Sequence, residues 1–315
     1  MRAVAFTSFG GPEVLSVVDV ARPEPLAGQV RIRVQAAPVQ PADLAVRSGA
    51  FGPMVPPGPT YVPGWDVAGV VDAVGPGVED LGPGVEDLGP GQPVVGLSDW
   101  LATRVGTHAE FVVLPATALA PAPARVTPQE AATLPANALT AVQALDLLGL
   151  ARGQTLAITG AGGAVGGYAV ELARLRGIRV LAIGSAPDER FLTSRDARYV
   201  PRSDDPAGAL RAITPDGVDG LLDAAVLGTA VLGAVRDGGV FVSVIPPATP
   251  PAERGIRMEI VGLHSDGAQL RELVRLVERG HLTLRVADVL PFEQASEAHA
   301  RFAKGGLRGR IVLVP

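Results

Sequence analysis

The stretch that decides the fold is "TLAITGAGGAVGGYAVELARLRGIRVLAIGS", Thr155 to Ser185. Thr155–Thr159 reads as a short buried strand ending at a glycine. From Val165 the apolar positions Val165, Tyr168, Ala169, Leu172 and Ala173 recur at helical spacing, the stripe of a helix laid on a sheet. Gly177 fits a helix stop, and 178–183 reads as a second buried strand. Strand, turn, helix and strand within about 30 residues make a βαβ crossover. Between strand and helix runs Gly160-Ala161-Gly162-Gly163-Ala164-Val165-Gly166, with glycines spaced G-x-x-G-x-x-G at 160, 163 and 166. Glycine lets the backbone approach a ligand closely, and a helix start offers unpaired N–H groups and a positive dipole end. Gly162, Gly163, Ala164 and Val165 are therefore expected to hold the diphosphate of a dinucleotide.

Sites for NAD place an acid about 20 residues further on, against the ribose 2′-hydroxyl. Here the second strand ends in Gly184-Ser185, followed by Asp188, Glu189 and Arg190. The small polar end leaves room for a 2′-phosphate, with Arg190 and Arg202 as its cationic partners. Asp188 and Glu189 are the competing acids. The expectation is NADPH in preference to NADH.

The remaining composition narrows the class. The chain has 315 residues, 29 prolines, 39 glycines, no cysteine and a formal charge of −5. Its length predicts two domains. The mild negative charge speaks against nucleic acid as a partner. No window reaches the ~18 uninterrupted apolar residues of a membrane span. The N-terminus lacks the apolar run of a secretory signal, so a cytoplasmic location is expected. Without cysteine there are no disulfides, thiol nucleophiles or thiolate metal ligands. The four histidines, at 108, 264, 281 and 299, include no closely spaced pair, and no metal site is expected.

Further buried strands are read at 217–225, 238–245 and 257–265, and a closing helix carries apolar residues at 270, 273, 274 and 277. Upstream, Thr127, Pro128 and Glu130 form a capping-box start, and Pro135 splits the segment that follows into two helices. Residues 120–282 thus read as one doubly wound α/β domain. Residues 1–119 carry short strand-like runs punctuated by Gly and Pro, a mainly β texture. The end of the chain gives a short helix and a strand at 310–314, which should return to the first domain.

Six stretches taken together carry a resemblance: "QPADLAVRSG" (40–49), "VPGWDVAGVVDAVG" (62–75), "GTHAEFVVLPA" (106–116), "EAATLPANALTAVQAL" (130–145), "GAGGAVGGYAVELARLRG" (160–177) and "GRIVLVP" (309–315). Over nearly its whole length the chain resembles a medium-chain dehydrogenase/reductase of the zinc-independent quinone oxidoreductase type. The resemblance implies an α/β fold: a Rossmann doubly wound parallel sheet domain at 120–282, and a GroES-like mainly β domain at 1–119 and 283–315, with the active site in the cleft between them. It implies NADPH, no zinc, a small-molecule substrate, and a homodimer joined through the edge strand at 257–265. Zinc-dependent relatives carry a cysteine ligand near 38–41 and Gly-His-Glu where this chain has Gly64-Trp65-Asp66. Quinone-reductase-like members carry Asn-Pro-x-Asp where it has Gln40-Pro41-Ala42-Asp43, and the tyrosine that several place near the 2′-phosphate is Ser203.

Without a metal, the hydride acceptor must already be activated by conjugation: a quinone, an enone or an enoyl ester. The resemblance places Gln40 and Asp43 on the nicotinamide side, although Asp43 equally fits a helix cap. Tyr61 is the hydroxyl best suited to proton supply or substrate orientation, and equally fits a core tyrosine. Thr140 is placed against the cofactor. Val244, Leu263, His264 and Ser265 are assigned to C-terminal strand ends, where open α/β sheets hold ligands, and His264 is a proton-donor candidate. The alternative reading is a cofactor-binding sensor or structural protein without turnover. A tandem "GVEDLGP" at 77–83 and 84–90 reads as a passively lengthened loop.

Overall fold

A computed structural model describes residues 1–55, 58–82, 85 and 88–315. In chain order the strands are β1 (Arg2–Ala5), β2 (Ser16–Asp19), β3 (Gln29–Pro38), β4 (Asp66–Val74), β5 (Pro93–Leu97), β6 (Phe111–Pro115), β7 (Leu119–Pro121), β8 (Thr155–Thr159), β9 (Arg179–Gly184), β10 (Arg198–Pro201), β11 (Val218–Asp223), β12 (Val235–Ser243), β13 (Arg257–Ile260), β14 (Val286–Pro291) and β15 (Arg310–Val314). The helices are α1 (Pro41–Ser48), α2 (Trp100–Thr103), α3 (Pro128–Ala132), α4 (Pro135–Leu148), α5 (Ala164–Leu175), α6 (Glu189–Thr193), α7 (Pro206–Arg211), α8 (Thr229–Leu232), α9 (Gly267–Glu278) and α10 (Ala295–Ala303).

The chain forms two compact units, Met1–Leu139 with His264–Pro315, and Thr140–Leu263. The first is built on a seven-stranded sheet of order β14-β15-β3-β4-β5-β7, with β6 also paired to β3. Val30, Ile32 and Val34 alternate inward along β3 and meet Val67, Val71, Val94, Val112 and Leu114 in one core. Each such side chain contributes about 1.5–3 kcal/mol on burial. β15 pairs antiparallel with β3, so the strand at the end of the chain does return to the first unit. β14, parallel to β15, is a strand that the sequence reading lacks, because Pro291 and alternating exposure mask its pattern. The two "GVEDLGP" copies fall partly outside the described residues. The equivalent Val78 and Val85 are both buried.

The second unit is a six-stranded parallel sheet of order β10-β9-β8-β11-β12-β13. That is the 3-2-1-4-5-6 order of a dinucleotide-binding sheet, reversing between β8 and β11. β10 was not read from the sequence; at four residues it carries little pattern. β13 ends at Ile260, shorter than the 257–265 expected, because Gly262 and the exposed residues around it lie beyond its pairing with β12. The helix boundary at Pro135 is as expected, and α3 starts from the Thr127–Glu130 capping box. The unit boundaries differ from the 119/120 and 282/283 of the sequence reading. The reason is packing: α3 lies on β3 and β4, and α9 lies on β7, so both helices go with the β-rich unit.

Candidate functional site

The glycine turn in the α/β unit is shaped by two contacts that no larger residue would allow. Gly160 has φ +59°, the left-handed region. A Cβ on Gly166 would sit 2.3 Å from the Gly160 carbonyl oxygen, so the first turn of α5 packs directly on the turn that precedes it. Gly163 is the N-cap of α5 and brings no side chain to cap it. The amides of Ala164, Val165 and Gly166 therefore have no acceptor within the helix. Amides so placed at a helix start can cradle a diphosphate; Ala164 and Val165 are two of the four residues expected to do so, whereas the Gly163 amide donates to the Gly160 carbonyl at 2.8 Å.

Below the turn lies a brace that sequence reading missed. Thr159 and Asp223 are in register at the ends of β8 and β11, both fully buried. The Thr159 hydroxyl donates to Asp223 Oδ1 at 2.6 Å and accepts from the Ala225 amide at 2.9 Å. Asp223 also accepts from the amides of Leu227, at 3.1 Å, and Gly228, at 2.8 Å. Four hydrogen bonds to two buried side chains thus shape the loop at the point where strand order reverses. Val226, in that loop, is an exposed β-branched residue at φ +61°. A backbone so held costs on the order of 1–3 kcal/mol and is kept by its surroundings. The available signal was the acid ending the apolar run "GLLD".

At the end of β9, Gly184 is buried and Ser185 opens a single 3-10 turn, Ala186–Asp188. The Ser185 amide donates to Asp188 Oδ2 at 3.0 Å, and the Ser185 hydroxyl bonds the same oxygen. The Arg202 amide donates to the Gly184 carbonyl at 3.1 Å, which brings Arg202 to this corner; the Arg190 and Arg202 side chains are exposed. Val244 follows β12 directly, and Thr140 is buried in α4. Leu263, His264 and Ser265 do not end a strand, since β13 stops short of them. Ser265 is anchored through its amide and hydroxyl to the Asp99 carboxylate, at 2.8 and 2.6 Å.

In the β-rich unit, Gln40, Asp43 and Asp66 come together in a buried polar network. The Gln40 side-chain amide donates to Asp66 Oδ2 at 2.8 Å, and the Ala136 backbone amide donates to Asp66 Oδ1. Asp43 accepts from the backbone amides of Gln40 and Gly64, both at 2.7 Å. Arg310 donates to the side-chain Oδ1 of Asn137 nearby. Burial pushes both carboxyls up to about 7, against the pull of those amides and of the Arg310 charge. Asp43 thus starts α1 as a cap and pins the Gly64 turn, the setting weighed beside its place on the nicotinamide side. Gln40 is held by Asp66. Tyr61 lies in an aromatic cluster, its ring centroid 5.1 Å from Phe6 and 5.5 Å from Phe9, the core setting weighed against its catalytic one. Among the described residues no group of three His, Cys, Asp or Glu could hold a metal ion, and no helix is long and apolar enough to cross a membrane.

Two family models match the chain: an alcohol dehydrogenase GroES-like domain over residues 26–124 and a zinc-binding dehydrogenase over residues 194–313. A chloroplast envelope quinone oxidoreductase homolog of Arabidopsis thaliana is 27% identical over all of this chain and 98% of its own length. An NADPH-dependent alkenal/one oxidoreductase, also chloroplastic and from Arabidopsis thaliana, is 28% identical over all of this chain and 80% of its own length. Among solved structures, an NAD-dependent alcohol dehydrogenase is 34% identical with a TM-score of 0.84, each chain covered completely.

Proposed function

Since the chain belongs to the medium-chain dehydrogenases/reductases, in their quinone-oxidoreductase-like group, we propose that it is a nicotinamide-dependent oxidoreductase that reduces a quinone or an activated enone or enoyl double bond without a metal. The observation that carries this is the glycine turn that opens α5, whose N-cap Gly163 brings no side chain, at the β8–β11 reversal. Gly162, Gly163, Ala164 and Val165 would hold the diphosphate there. A bound reduced nicotinamide supplies the hydride. The Thr159–Asp223 brace fixes the loop that follows β11. Asp66 orients the Gln40 amide, and Asp43 fixes the helix on which it stands.

Zinc does not fit this donor set. The chain has no cysteine, and both oxygens of Asp66, which stands where zinc-dependent relatives carry Glu, are occupied by N–H donors. An unassisted ketone would need a charged group at the developing alkoxide; a conjugated acceptor spreads that charge itself. The named activities of the two Arabidopsis relatives, on quinones and on alkenals or alkenones, support the same acceptor class. Relatives named for NADPH and for NAD occur side by side, so both forms belong in the test. The experiment is loss of the reduced-nicotinamide absorbance band with a panel of quinones, enones and simple ketones. Turnover of conjugated acceptors only, undiminished by a chelator, is expected; turnover of simple ketones that a chelator abolishes would overturn it.

A further inference from the structure

The side chain nearest the glycine turn from the second strand is an acid. A Cβ placed on Gly162 would lie 2.2 Å from Asp188 Cγ and 2.4 and 2.5 Å from its two oxygens, so the carboxylate rests directly on the Gly162 backbone. The same side chain reaches Gly184: a Cβ there would be 3.4 Å from Asp188 Cβ. Asp188 is only 5% exposed, and the Ser185 amide and hydroxyl fix its orientation. The carboxylate therefore fills the crook between the diphosphate-binding turn and the end of the second strand. In a sheet of this order that crook receives the adenosine ribose.

We infer that Asp188 makes the site select NADH over NADPH, a refinement that rests on the dinucleotide reading above. An ionised carboxylate only accepts hydrogen bonds, which suits the hydroxyl donors of an unmodified ribose. A 2′-phosphate carries about −1.5 to −2 charges and only acceptor oxygens, and would meet Asp188 at short range. The rival cations do not offset this. Arg190 and Arg202 are exposed, free to swing into water, whereas Asp188 is buried and tethered. The small residues at the strand end, Gly184 and Ser185, make room for the tethered acid rather than for a phosphate. The acid was displaced from the strand end into the 3-10 turn, which is why the sequence pattern pointed to NADPH.

The test is equilibrium binding of NADH, NADPH, ADP-ribose and 2′-phospho-ADP-ribose, followed by calorimetry without any acceptor. Wild type is expected to bind the two unphosphorylated probes at least about tenfold more tightly than their phosphorylated counterparts. Asp188→Asn keeps a capping oxygen for the Ser185 amide and removes the charge; it should tighten the phosphorylated probes by about tenfold and close the gap. NADPH binding as tightly as NADH in wild type overturns the inference while leaving the reductase intact, whether or not the variant folds. A gap unchanged in a folded D188N protein overturns it too. No binding of any probe overturns this inference together with the dinucleotide reading.

Discussion

The Gln40 side-chain amide donates to Asp66 Oδ2 at 2.8 Å, and through that bond two segments distant in sequence share one buried carboxylate. Asp66→Ala would leave the Gln40 amide and the Ala136 N–H buried without an acceptor. Each orphaned donor costs about 1–3 kcal/mol. Urea unfolding should show a loss of roughly 2–5 kcal/mol, while Gln40→Ala, which removes one donor and leaves the Ala136 bond intact, should cost less. A loss in D66A no larger than in Q40A would refute this account of the network.

Two sets of buried groups pull stability in opposite directions with pH. Burial pushes His108 down to about 4, and burial with the His108 and Arg47 charges pushes His299 down to about 3, from an ordinary 6.5. Both His299 ring nitrogens are buried without a hydrogen-bond partner. Between pH 6.5 and 4 the unfolded chain takes up protons that the folded chain refuses, so these histidines lower stability as the solution is acidified. Asp43 and Asp66 are raised from 3.8 to about 7; the folded chain keeps protons that the unfolded chain has lost, so their contribution fades as pH rises through that window. Each group acts with a slope of at most about 1.4 kcal/mol per pH unit. Denaturation at a series of pH values should show His299→Leu gaining on wild type toward acid and Asp66→Asn gaining toward base. Parallel profiles for all three proteins would contradict both assignments.

The brace under the glycine turn is open to one nearly isosteric change. Thr159→Val keeps the volume and removes the hydroxyl that both donates to Asp223 and accepts from Ala225. Global stability should fall by about 1–3 kcal/mol, and dinucleotide affinity should fall with it as the loop after β11 loosens. Calorimetric melting alongside ligand titration checks both; a variant with unaltered affinity would mean that the brace serves the fold alone.

Much of this was legible because the decisive signals are local. The strand 155–159, the turn at 160–166, the capping box at Thr127 and the final strand at 310–314 each announce themselves within a few residues, and each stands where pattern placed it. β10 and β14 escaped because short strands of mixed exposure give no period to read. The site was half legible. The backbone cradle follows from glycine spacing, but the partners of Gln40 and of Thr159 lie 26 and 64 residues away, and nothing in one sequence ties such positions together. Ser265 was assigned to a strand end because its apolar neighbours extend the pattern of β13, yet the strand stops when its partner β12 does. The approach of Asp188 to Gly162 is likewise set by a 3-10 turn that composition does not reveal.

β13 is an edge of the parallel sheet and leaves Ile260 41% exposed. We propose that two copies of this edge pair in a homodimer, which would bury that side chain and satisfy the open strand. Light scattering should give twice the mass of one chain, and Ile260→Lys should shift it toward the monomer. A monomer mass for the wild-type protein at all concentrations would remove the proposal.

The central claim is that the backbone amides opening α5 grip a dinucleotide diphosphate, and hydrogen exchange reads those amides directly. With saturating reduced dinucleotide, the segment 160–167 should be the most strongly protected part of the α/β unit, and Gly166→Val, whose side chain would collide with the Gly160 carbonyl, should lose that protection. Exchange in this segment that is the same with and without dinucleotide, while another region becomes protected, would contradict the account.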